Sequence, residues 1–219
     1  SLKILQRIER NLARLVDIQA IVEEILNPPP YRPVPLAVAD RIKQVLGQIE
    51  EASSHRSVAL VTQLEEIHTD IIDPGILDTI VETLVKNAIE STPDEGDVIV
   101  SLKRVSSGIL LEVTDHGVGI PVGDEEFIFD GFHHIQATDD YSTKKPYDFN
   151  AGGKGLELLR LKVLSESRPF DISFRSLRCP FIPKRTDHCP GKISDCGDVR
   201  GTGECNQSSG TTFSVLFRG

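Results

Sequence analysis

Apolar residues repeat along this chain with two rhythms, and each rhythm predicts its own kind of element. In "LKILQRIERNLARLVDIQAIVEEIL" (2–26), Leu5, Ile8, Leu12, Leu15, Val22 and Leu26 fall on a and d positions of a heptad, with Gln19 the one polar member. Ile4, Ile18, Ile21 and Ile25 widen the stripe, so a long helix is predicted with partners on more than one side, as in a bundle. "NPPPYRPVP" follows. Proline cannot continue a helix and biases the residue before it towards extended backbone, so a stiff connector and a boundary are expected over 28–35. Residues 36–52 are amphipathic again, with Val38, Ile42, Val45, Leu46 and Ile49 on one side. "SVALVTQLEE" (57–66) reads as a strand. "DPG" (73–75) predicts a turn with Asp73 capping a helix over 76–92, in which Ile76, Ile80, Leu84 and Ala88 recur every four residues.

The second half changes to period two. "DVIVSLKRV" alternates Val98, Val100 and Leu102; "GILLEVTD" alternates Ile109, Leu111 and Val113; "SSG" joins the two strands. "GGKGLEL" (152–158) opens a helix carrying Leu156, Leu159, Val163 and Leu164. "FDISFRS" and "TTFSVLF" are two more strands, separated by a Cys-, Gly- and Pro-rich tract over about 178–208. Strands and helices mix without a strict βαβ rhythm. The expected class is α+β: a two-layer α/β sandwich with a mixed, mainly antiparallel sheet, helices on one face, and a long helix in front.

Composition narrows the chemistry. The 219 residues suit one domain over 36–219 plus an accessory element over 1–27. Lys and Arg total 24 against 33 Asp and Glu, a formal charge of -9, which argues against nucleic acid as a partner. No apolar run approaches the ~18 residues of a membrane span, and no signal-peptide pattern opens the chain. It begins on Ser1 and contains no Met, so a piece of a longer protein is expected, itself cytoplasmic, with a membrane anchor left open for the parent.

Four short pieces stand in a telling order: "ETLVKNAIES" on a helix, "DHGVGI" (115–120) directly after a strand, "GGKGLEL" opening a helix, and "SGTTF" (209–213) opening the last strand. A carboxylate such as Asp115 can accept a hydrogen bond from the exocyclic amine of adenine and rejects guanine, which carries an oxygen there. Gly117 and Gly119 let backbone pass close to a flat base. Asn87 offers a hard oxygen that suits Mg²⁺, which takes few protein ligands. Gly152, Gly153 and Gly155, with Leu156 behind them, can turn N–H groups and a positive helix end towards phosphate.

Together the pieces resemble the N, G1, G2 and GT boxes of the ATP-binding domain shared by sensor histidine kinases, DNA gyrase, the heat-shock chaperone ATPases and mismatch-repair ATPases. "FIFDGFHHIQATDDYSTKKP" resembles the Phe-rich box and lid of histidine kinases, with Phe129 and Phe132 at the lid's base. The resemblance covers roughly 36–219. It implies a Bergerat-type fold with ATP and Mg²⁺ as ligands. Asp115 reads adenine with help from the Thr211 hydroxyl; Asn87 holds Mg²⁺ and is a catalytic residue. Lys144 and Lys145 reach the terminal phosphates, with Lys145 the catalytic candidate and Lys154 a third cation. The lid over 133–151 is expected to be mobile without nucleotide.

One position departs from the pattern. Four residues before Asn87, where the related ATPases place Glu or Asn, stands Thr83. A water-activating carboxylate is then missing, which suits a kinase whose nucleophile is another side chain. The leading reading is the catalytic domain of a two-component sensor histidine kinase. A serine kinase or ATPase of the same superfamily, or a non-catalytic nucleotide-binding module, are the alternatives. The six His stand at 55, 68, 116, 133, 134 and 188, none in the first helix. That helix resembles the member of the dimerisation hairpin without a phosphoacceptor. The fragment is therefore expected to lack autophosphorylation, to dimerise in the parent through this helix, and to serve a response regulator receiver domain.

Cys179, Cys189, Cys196 and Cys205 all lie in one tract between two core strands, with His188 beside Cys189 and no C-x-x-C pair. A poorly apolar loop of this length needs a staple. Three states are open: a Cys-bound metal, either zinc or an iron–sulfur cluster; two disulfides; or free thiols.

Overall fold

Alternating burial is what one-sided coverage of a sheet demands, and the two period-two segments obey it. In β4 (Asp97–Val105) Val98, Val100 and Leu102 are buried, and in β5 (Gly108–Asp115) Ile109, Leu111 and Val113. The computed structural model describes residues 12, 15, 16, 18–130, 145–151, 155–184 and 187–219. Residues 18–26 form α1. Then follow β1 (Leu36–Ala37), α2 (Val38–Ala52), β2 (Ala59–Leu64), β3 (His68–Thr69) and α3 (Pro74–Ser91) before β4 and β5. After them come α4 (Glu157–Ser167), β6 (Phe170–Leu177), α5 (Thr202–Ser208) and β7 (Gly210–Phe217).

The main sheet runs β2-β4-β5-β7-β6, parallel between β2 and β4 and antiparallel elsewhere. Its register stacks apolar residues in rows: Leu102, Leu111, Val215 and Ile172 in one, Val100, Val113, Phe213 and Phe174 in the next. The helices α3 and α4 cover this face and α2 packs on α3. Opposite them, Ser101, Lys103, Glu112 and Thr114 line an open polar surface, where Lys103 and Glu112 pair at 2.9 Å. This is the two-layer α+β architecture, with helices on one face, that the pattern predicts.

Two helix starts differ from the expected ones, the first through a local cap and the second through a tertiary ribbon. α3 begins at Pro74 rather than Ile76, because the Asp73 carboxylate accepts the N–H of Gly75 at 2.8 Å and of Ile76 at 3.3 Å. α2 begins at Val38, not Leu36. Leu36 pairs with Thr69, and Val38 donates to the Ile67 carbonyl, a ribbon that periodicity alone did not reveal. The proline-rich connector lies along the domain: the Tyr31 hydroxyl donates to the Ile71 carbonyl, Arg32 N–H donates to Asp73, and Arg168 donates to the Pro29 carbonyl.

Arg56 ties three segments together. Its guanidinium pairs with Asp94 at 2.8 Å and donates to the carbonyls of Ile89, Tyr147 and Thr92, with only 5% of the side chain exposed. A cation at the carboxyl end of α3 satisfies orphan carbonyls and opposes the negative helix end. Arg56→Ala removes the donor from the Tyr147 and Thr92 carbonyls and the cation from Asp94, and is expected to cost about 3 kcal/mol in urea unfolding. Arg56→Lys is expected to recover little, since an ammonium cannot span the fork.

The tract between β6 and β7 is held by backbone and surface bonds. Glu95 accepts Ser194 N–H at 2.7 Å and its hydroxyl at 3.0 Å, and meets Lys192 at 3.3 Å; these donors hold its carboxyl below the usual range. Cys179, Cys189, Cys196 and Cys205 are all free thiols, so the disulfide alternative is not realised. Among the described residues no group of three or more His, Cys, Asp or Glu side chains is drawn together to hold a metal ion. The four thiols of the anticipated metal set are thus not drawn to ligand distance among the described residues.

Candidate functional site

The sheet's apolar rows end in a polar one. Beyond Val100, Val113, Phe213 and Phe174, the next residues in register are Val98, Asp115, Thr211 and Ser176. Asp115 closes β5 with its carboxylate aimed to the helix-covered side, and only 4% of the residue is exposed. One carboxylate oxygen accepts the N–H of Gly117 at 2.9 Å and of Thr211 at 3.2 Å. Burial outweighs these donors and pushes its pKa up to about 7. The Thr211 hydroxyl bonds that of Ser176 at 2.9 Å, and Ile120 N–H donates to Ser176 at 2.9 Å.

The loop after β5 needs its glycines. A Cβ on Gly117 would come within 2.3 Å of the Ser91 carbonyl, so this loop and the end of α3 touch backbone to backbone. Gly119 has φ +68, and a Cβ there would meet the Leu177 carbonyl at 2.1 Å. His116, given no chemical role by the sequence, pairs with Asp97 at 2.6 Å.

Asn87 lies one helical turn before Ser91, about 6 Å along the axis. It faces a cavity of about 510 Å³ together with Lys86, Glu82, Thr83, Tyr147, Glu157 and Arg160, among others. The described end of the lid region is bound to α3: Asn150 N–H donates to the Glu90 carbonyl at 2.7 Å and Tyr147 N–H to the Glu90 carboxylate at 3.1 Å. Burial raises the pKa of Glu90, opposed by Lys86 at 3.4 Å. Of the expected lid over 133–151, residues 145–151 are thus hydrogen-bonded to α3, and 133–144 lie outside the described residues. Thr83 is buried and accepts a hydrogen bond from Arg160 at 3.2 Å; Arg160 also pairs with Glu24 of α1 at 3.0 Å.

The residues singled out by sequence fall into three groups. Asp115, Gly117, Gly119 and Thr211 gather at the carboxyl end of β5, and Ser91 links them to the helix of Asn87. Leu156 is buried at the start of α4, after Gly155, and the adjoining Glu157 lines the cavity of Asn87. Asp115 is not part of that cavity's wall. Lys145 is exposed, its backbone folded onto Asp148. Lys144, Gly152, Gly153 and Lys154 lie outside the described residues, as do Phe132, His133 and His134. Phe129 meets Phe174 edge-on at 5.9 Å and packs against the core.

Sequence reasoning missed Ser176 and Arg160, and gave Glu90, three residues after Asn87, no role. Ser176 was within reach: the alternation Phe170, Ile172, Phe174 puts it on the core face, opposite the first residues of the last strand. Glu90 and Arg160 act through tertiary contacts that no local pattern announces.

Comparison with known proteins adds ancestry. Residues 72–218, 147 of the 219, match the model of the histidine kinase-, DNA gyrase B- and HSP90-like ATPases. The sensor-like histidine kinase SenX3 of Mycolicibacterium smegmatis is 27% identical over 156 residues, 67% of this chain and 38% of that protein. The adaptive-response sensory kinase SasA of Synechocystis is 30% identical over 104 residues, 47% of this chain and 27% of that one. The chain thus spans well under half the length of these relatives. Among solved structures, a mycobacterial sensor histidine kinase, MprB, shares the fold with a TM-score of 0.56 at 17% identity, over 86% of this chain and 98% of that one. With the matched region running from just before α3 to the end of β7, the chain belongs to the histidine kinase-, DNA gyrase B- and HSP90-like ATPase family.

Proposed function

We propose that this chain is the ATP-binding catalytic part of a two-component sensor histidine kinase, and that it passes the γ-phosphoryl group of Mg-ATP to a His on a helix of the longer protein. The observation that carries the reading is the buried Asp115 carboxylate. It is fixed by the N–H groups of Gly117 and Thr211 at the end of the sheet, with one oxygen left to accept from adenine N6. Asn87 would supply an oxygen to Mg²⁺, whose chemistry is to bridge phosphate oxygens and offset their developing charge. Gly155, Leu156 and the start of α4 would face phosphate, with Lys145 and the neighbouring Lys144 within the same segment of chain.

Thr83 favours transfer over hydrolysis. Its hydroxyl is buried and held by Arg160, so nothing at that helix position can take a proton from water. In this reading the partner is a response regulator receiver domain, and α1 takes part in a homodimer of the parent. No described helix is long and apolar enough to cross a membrane. The test is radiolabelled Mg-ATP given to this chain and to a longer gene product carrying the upstream helix. Acid-labile phosphohistidine is expected in the longer protein and not in this chain. Label on Ser, or release of phosphate alone, would assign the chain to another branch of the superfamily.

A further inference from the structure

We infer that the tract between β6 and β7 is a binding site for one thiophilic divalent cation of the zinc class, held by Cys179, Cys189, Cys196 and Cys205, and that the loaded tract braces the loop 116–119. The first observation is convergence. The chain has four cysteines, separated by nine, six and eight residues, and all four line one cavity of about 50 Å³. Turns and a short 3-10 helix at Ile193–Asp195 separate the first three, and Cys205 lies within α5, so no single regular element places the four thiols together.

Charge completes the case. Four thiolates around a divalent cation leave two negative charges. The half-buried Arg178 guanidinium stands beside Cys179 and Cys189, and Lys192 lines the cavity. Arg178 also has Asp187 nearby and Lys192 meets Glu95 at 3.3 Å, so these cations add positive potential at the cavity without depending on the thiolates as their only counter-charge. The tract also needs the energy: between β6 and β7 its buried apolar side chains are Ile182 and Ile193, too few to order so long a segment. The sulfurs stand on the cavity wall rather than at its centre, and loading draws them inward to the tetrahedral set such a cation prefers, with four S–H protons released.

The bracing follows from where the tract is anchored. Cys179 N–H donates to the Val118 carbonyl at 3.0 Å, Arg178 donates to the Gly119 carbonyl at 3.0 Å, and the Ser209 hydroxyl donates to the Gly117 carbonyl at 2.7 Å. His116, Gly117 and Val118 form one wall of the cavity. The loop that positions the Asp115 carboxylate is thereby gripped at both ends of the insertion. This second half of the inference rests on the nucleotide reading above; the metal site does not.

The test is metal analysis of the 219-residue chain purified under reducing conditions without added metal. About one equivalent of zinc per chain is expected, released when a mercurial titrates the thiols. Because single Cys→Ser variants can misfold, Co²⁺ replacement in the intact chain gives a second reading, in which intense sulfur-to-cobalt charge-transfer absorption is expected. Zinc below about a tenth of an equivalent with four thiols open to a disulfide reagent overturns the site, as do two disulfides, or iron with acid-labile sulfide. Stripping the zinc should weaken binding of a fluorescent ATP analogue about fivefold or more, as expected when a brace favours the competent loop. Unchanged affinity overturns the bracing, and zinc content is read whether or not the chain binds ATP.

Discussion

Asp115→Asn is expected to lower affinity for Mg-ATP by about a hundredfold or more in calorimetric titration, the cost of turning a buried acceptor into a group that can donate. Guanine nucleotides should bind poorly to both proteins. The same substitution should change stability with the opposite sign. In the folded protein Asp115 holds its proton up to about pH 7, against an ordinary value of 3.8. Between those values the folded state binds more protons than the unfolded, so stability falls as pH rises through this window and levels above it. The Asn variant, which never ionises, should therefore match wild type near pH 4 and melt several degrees higher at pH 8 in the absence of nucleotide. Ligand binding offers a third readout. If adenine needs the carboxylate, wild-type affinity should fall about tenfold from pH 8 to pH 6, and the variant's residual binding should show no such slope. A nucleotide-free variant that melts below wild type at pH 8 would mean that Asp115 is structural.

Asn87→Ala is expected to leave the fold intact, since the side chain is half-buried on the cavity wall and the helix around it is built on Ile80, Leu84, Ala88 and Ile89. Its effect should depend on the metal. With Mg²⁺ present, affinity for ATP should fall about ten- to a hundredfold and phosphotransfer by more, because the metal acts on charge that develops late in the reaction. With chelator, wild type and variant should bind alike. Asn87→Asp keeps an oxygen ligand and should retain Mg-dependence. Equal losses with and without Mg²⁺ would remove the metal role and leave Asn87 as a contact to the nucleotide itself.

How much of this was legible beforehand depended on the range of the interaction. The strands of Val98–Leu102 and Ile109–Val113 were readable because one-sided burial imposes period two on neighbouring residues. The capping of α3 by Asp73 was readable because a cap acts within one turn, although the helix starts at Pro74 and not at Ile76. Asp115, Gly117 and Thr211 were found through the order of short pieces, although what joins Thr211 to Asp115 is cross-strand register. The ribbon of Leu36 and Thr69, the Arg56 hub and the Arg160–Thr83 bond join residues more than 30 positions apart. Nothing in the local pattern distinguishes Arg56 from a solvated arginine. The gathering of the four thiols belongs with these: their spacing fits no familiar ligand motif, and only the folded tract brings them to one cavity.

The most direct measurement is a crystal structure of this chain with Mg²⁺ and a non-hydrolysable ATP analogue. The result expected is a purine whose N6 sits about 3 Å from the Asp115 carboxylate, with the metal about 2.1 Å from the Asn87 side-chain oxygen. A purine seated away from Asp115, or a triphosphate whose metal ignores Asn87, would contradict the nucleotide site on which the kinase proposal stands.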